Sequence, residues 1–131
     1  MFEYAPAMTP SAFVPAGWPD RVRPPGTRDW EASAVAYLLD CCPADFRAYK
    51  VLRNHPAVLV QFAEQFVEGQ CTAVQDGLAR VRSSLRGQVR PDVVETAAEV
   101  WLEQGARLMR TRRAVGLVGE ALRGHQFVPR L

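Results

Sequence analysis

Three cysteines, two histidines and a single lysine are the whole stock of soft metal ligands, imidazole bases and modifiable amines in this chain of 131 residues. An odd number of cysteines does not make a closed disulfide framework, so the thiols are expected to be reduced. The first twenty residues, MFEYAPAMTPSAFVPAGWPD, lack the basic start and unbroken apolar stretch of an export signal. Together these predict a cytoplasmic protein. No run approaches the roughly 18 to 20 apolar residues that a membrane span requires, because charges interrupt every hydrophobic stretch. Lys50 is alone, so arginine supplies 15 of the 16 basic side chains, a skew that GC-rich coding produces and that points to a bacterial source. With 14 acids opposing them, the net charge is only +2, short of the strongly basic balance that makes nucleic acid the default partner.

What is present is a chain of one-domain size, with 48% hydrophobic residues and a very uneven distribution of proline. Six of the ten prolines (Pro6, Pro10, Pro15, Pro19, Pro24 and Pro25) fall in residues 1–28. Proline fixes φ and removes a hydrogen-bond donor, so this arm is not a regular helix. Its aromatics Phe2, Tyr4, Phe13 and Trp18 are too many for a solvated linker. The composition predicts an extended, polyproline-like arm that docks on a surface.

From Asp29 the texture turns helical. Trp30, Ala34, Tyr37, Leu38 and Cys41 recur at helical spacing behind Asp29 as N-cap, predicting a helix over 30–42 that Pro43 stops. The stretch PADFRAYKVLRN predicts a second helix over 44–53, with Phe46, Tyr49, Val51 and Leu52 available to a core. Pro56 then opens a stretch without proline in which Val67, Cys71, Val74, Leu78, Val81 and Leu85 alternate steps of four and three, the mark of a heptad seam. Upstream, Leu59, Phe62, Ala63 and Phe66 widen that face. After a turn at RGQVRPD, Val94, Ala98, Trp101, Gly105, Leu108, Arg112, Val115, Gly119 and Leu122 repeat the pattern. The expected fold is all-α: two short N-terminal helices on a long antiparallel hairpin of helices over 56–86 and 91–123. Gly124 caps the last helix, and a tail over 125–131 follows. Antiparallel neighbours should have numbers summing to about 177, which sets Arg82 against Glu95, Arg80 against Glu99, Glu68 near Arg110 and Glu64 near Arg113.

Chemistry-bearing motifs are scarce. A zinc site would draw on Cys41, Cys42, Cys71, His55 and His125, but neighbouring cysteines on a helix point about 100° apart and seldom share an ion. A nucleophilic thiol needs a helix N-terminus or a nearby base, whereas Cys41 and Cys42 sit at a C-terminus, where the dipole raises a thiol pKa. Cys41 and Cys71 read as core residues. The acids Asp92, Glu95, Glu99 and Glu103 are spaced as a solvated face rather than a catalytic pair. There is no Glu-x-x-His pair and no glycine-rich loop between a strand and a helix. No catalytic residue, metal or cofactor is expected.

The remaining signals are for binding. Phe13-Val14-Pro15 recurs as Phe127-Val128-Pro129, two stiffened apolar segments near opposite ends, able to dock on this bundle, a second copy or another protein. Arg112 occupies a seam position and must snorkel out or pair with an acid. Two short helices cover a hairpin of roughly 45 Å poorly, which predicts a homodimer or higher oligomer: a non-enzymatic interaction module using Phe13, Val14, Trp18, Arg112, Phe127 and Val128. The alternative is a nucleic-acid-associated regulator using Arg80, Arg82, Arg86 and Arg90 near the turn with Arg107, Arg110 and Arg113. No aromatic residues interleave with those arginines in the sequence to stack on bases.

Overall fold

The computed structural model describes residues 13–129. The arm residues 1–12, with Phe2, Tyr4, Pro6 and Pro10, and the tail residues 130–131 lie outside the described residues. Four α-helices run in the order α1 (Trp30–Asp40), α2 (Lys50–Asn54), α3 (Pro56–Ser84) and α4 (Pro91–Leu122), and there is no strand among the described residues. Each long helix begins with a proline at its first position, where the missing N–H costs nothing. The two pack closely on each other as an antiparallel hairpin. Gly124 ends α4 in paired backbone bonds, His125 N–H to Glu120 O at 2.9 Å and Gly124 N–H to Ala121 O at 3.0 Å.

The predicted helix over 44–53 is two pieces: a 3₁₀ turn, Ala44–Ala48, and the five-residue α2, parted at Tyr49 by extended backbone. On one continuous helix Phe46 and Leu52 would point roughly 120° apart. The break lets both face α3. Leu52 is buried, and the Phe46 ring meets Phe62 and Phe66 edge-on at 6.0 and 5.1 Å. Tyr49 and Val51, expected in the core, are each 53% exposed, since a one-turn helix has room to bury only one residue deeply.

The arm also departs from the expected extended form. Over residues 13–28 it is a chain of tight turns that start at proline carbonyls: Trp18 N–H to Pro15 O, Val22 N–H to Pro19 O and Thr27 N–H to Pro24 O. In Pro15-Ala16-Gly17-Trp18 and Pro24-Pro25-Gly26-Thr27 the glycine stands third with φ of +97° and +83°, the backbone that a type II turn demands. These turns fold the arm onto the bundle, where Trp18 and Val22 join the core with Ala34, Leu38 and Leu39 of α1. Asp29 stands at the N-cap of α1 with a left-handed backbone and no side-chain cap bond; Ser33 Oγ instead accepts from the Arg23 N–H.

The core is therefore lopsided. Arm, α1 and α2 cover Leu59, Val60, Ala63 and Val67 of α3 and Val115, Leu117, Val118 and Ala121 of α4. Toward the turn, Val81, Val94 and Ala98 are buried apart from that cluster.

Candidate functional site

The hairpin's open flank is built by helical phase. Cys71, Gln75 and Leu78 of α3 face Leu102, Gly105, Ala106 and Met109 of α4 across a shallow apolar groove of about 230 Å³. Leu102 and Met109 are 57% and 52% exposed, well above what a side chain fully seated in a groove would show. The indole of Trp101 forms part of the groove wall, and it fits because residue 77 on the facing helix has no side chain. Two further concavities continue the groove toward the chain ends: one shares Met109, and both share Arg112 and Gly116. We call this succession of concavities, from Leu78 to Glu64, the furrow.

Ion pairs between α3 and α4 bracket the furrow. Arg82 donates twice to Glu95, at 2.9 and 2.8 Å; Arg112 lies 3.3 Å from Glu68; Arg123 donates to Glu64 at 2.9 Å. The Arg82 guanidinium holds the Glu95 carboxyl below its usual range and is itself pushed up by that partner. Along α3 the charges run acid, acid, base (Glu64, Glu68, Arg82), and along α4 the facing order is base, base, acid (Arg123, Arg112, Glu95). Only the Arg82–Glu95 pair matches the expected pairing. No Arg80–Glu99 ion pair forms among the described residues, and Glu68 and Glu64 take Arg112 and Arg123 instead of Arg110 and Arg113. The facing pairs Gly77–Trp101, Val74–Gly105 and Glu68–Arg112 put the sum of numbers at 178 to 180 rather than 177. A slip of one to three residues rotates a side chain to another face at about 100° per residue, which takes Arg110 and Arg113 off the seam.

The apolar terminal segments are brought together at the far end. Trp18 is buried, donates its indole N–H to Val22 O at 2.8 Å, and meets the edge of Phe127 at 5.8 Å. Phe13, Phe127 and Val128 line one cavity with Trp30, and Val14 packs against the core. The Phe-Val-Pro repeat therefore meets across the chain's own bundle, and of its side chains Val128 is the outlying one at 76% exposure. Arg112 resolves its seam position by reaching Glu68.

The arginines divide into two groups. Arg80, Arg82, Arg86 and Arg90 gather round the turn, with Arg90 paired to Asp92. Arg107, Arg110 and Arg113 begin about 25 Å further along α4 and line the cleft under the arm, Arg113 also bordering the concavity that holds Met109 and Arg112. Arg113 donates through Nε and Nη2 to Ala16 O at 3.2 and 3.0 Å, a contact across 97 residues that no local pattern foretells.

The adjacent thiols Cys41 and Cys42 are shifted away from activation. Cys71 is buried, and Cys41 and Cys42 are half-buried. Burial pushes the Cys41 thiol up, and burial with the neighbouring Cys41 pushes Cys42 to about 11. Burial, reinforced by Cys41, likewise takes the Tyr37 hydroxyl to about 12. Among the described residues no three His, Cys, Asp or Glu side chains converge as a metal site would require, and no helix is long and apolar enough to cross a membrane.

No protein family, curated protein or solved structure matches the chain.

Proposed function

We propose that the chain is a non-enzymatic, self-associating helical module, in which the open furrow of the α3–α4 hairpin receives the same furrow of a second copy. The supporting observation is the furrow itself: exposed Leu102 and Met109 beside a groove, flanked by charges whose order reverses between the two helices. A two-fold axis brings one surface against its own copy, so residue i meets j and j meets i. A surface with opposed charge order on its two halves is complementary to itself under that operation. An apolar centre with a polar rim is the usual anatomy of such a contact.

Gel filtration with light scattering tests this. A mass of twice the 14.6 kDa chain at micromolar concentration is the expected result, and a monomer up to about 100 μM would sink the reading. The nucleic-acid alternative draws on the arginines around the turn, of which Arg80 and Arg86 form no ion pair among the described residues. It predicts retardation of duplex DNA at low salt that fades steeply as salt rises.

A further inference from the structure

Where the folded arm packs on α4, the two enclose an open cleft of about 410 Å³ whose lining joins Arg107, Arg110 and Arg113 with Trp18, Asp20 and Tyr37. We propose that this cleft binds a phosphate monoester carried by a small molecule. The arginines lie three residues apart, so successive guanidinium groups step along one side of α4 toward the arm. None of the three is paired with a carboxylate among the described residues. Arg107 donates to Gln104, Arg113 to the neutral carbonyl of Ala16, and Arg110 to no described acceptor. Against three positive charges the lining sets one carboxylate, Asp20, which leaves a formal excess of two, matching the charge of a phosphate monoester near neutral pH. Beside Tyr37, Arg21 shares Asp40 with Arg47, so that neighbouring network is itself in formal excess by one positive charge and does not offset the excess in the cleft. Guanidinium forks are suited to bind phosphate oxygens through paired donors. Tyr37 and Trp18 add apolar wall from outside α4, and the volume is that of an ordinary small-molecule site. The sequence does not show this aromatic neighbourhood, because the arm must fold back 90 residues to supply it.

The test is a calorimetric titration of the full chain with AMP, inorganic phosphate and adenosine, alongside 5′-phosphorylated and unphosphorylated oligonucleotides. AMP and phosphate should bind and adenosine should not. Arg110→Gln, which removes no described contact, should weaken AMP at least tenfold with an unchanged melting temperature, and Arg80→Gln should leave AMP binding unchanged. Binding of both oligonucleotides equally without binding of AMP would overturn the proposal, as would AMP affinity indifferent to Arg110→Gln or no AMP binding at millimolar concentration. A Leu102→Asp variant should bind AMP as the parent does, separating this site from self-association.

Discussion

The indole of Trp101 rests on Gly77 so closely that a Cβ at residue 77 would lie 2.5 Å from Trp101 Cζ2. Alanine ordinarily favours a helix interior by about 1 kcal/mol over glycine. At residue 77 the clash reverses the sign, and Gly77→Ala should cost about 1–3 kcal/mol, as overpacking does. Gly69 on the same helix has nothing within 4 Å of its would-be Cβ, so Gly69→Ala should stabilise by about 0.5–1 kcal/mol. Urea unfolding of the two variants should move the midpoint in opposite directions.

Truncating Trp18 should destabilise the whole domain, because its ring is part of the core. Trp18→Ala is expected to cost about 3–5 kcal/mol by denaturant unfolding, the range for large aromatic truncations. Arg113→Ala removes both bonds to Ala16 O and should release the arm with a smaller loss of stability. Limited proteolysis would show it as faster cleavage within residues 13–28.

Alkali should weaken the fold in a defined window. The Cys42 thiol moves from 9.0 to about 11 and the Tyr37 hydroxyl from 10.0 to about 12. Between each pair of values the folded chain holds a proton that the unfolded chain has lost, so stability falls as pH rises, beginning near 9 and levelling off near 12. Below pH 8 these groups leave stability flat. For the same reason Cys42 should alkylate slowly at pH 8 and faster as pH approaches 11, read by mass spectrometry.

What was legible in the sequence was what local rules govern. Pro56 and Pro91 mark two helix starts within one residue, the heptad steps through Val67, Val74 and Val81 identify the buried seam, and Gly124 marks the end of α4. The termini expected near Cys42, Arg86 and Arg123 fall at Asp40, Ser84 and Leu122, the usual fraying of helix ends. What depended on distant partners was not legible. Periodicity fixes which face is apolar but not the slide of one helix along the other, so of four expected ion pairs one forms, two acids take other arginines, and Arg80–Glu99 does not form among the described residues. The turns of the arm are written in Pro-x-Gly spacing, yet their docking depends on Arg113, Phe127 and α1, which no local pattern connects to Trp18. The asymmetry of the candidate surface follows from that docking: once the arm and α1 occupy one flank, the other is left as the open furrow.

A charge placed in the apolar centre of the furrow tests self-association through it most directly. Leu102 and Val51 are comparably exposed, at 57% and 53%, but Val51 lies on α2, away from the furrow. Light scattering at micromolar concentration should give the parent and Val51→Asp twice the chain mass and Leu102→Asp the single mass, with all three retaining helical circular dichroism. A monomeric parent, or a Leu102→Asp variant that keeps the doubled mass, would contradict it.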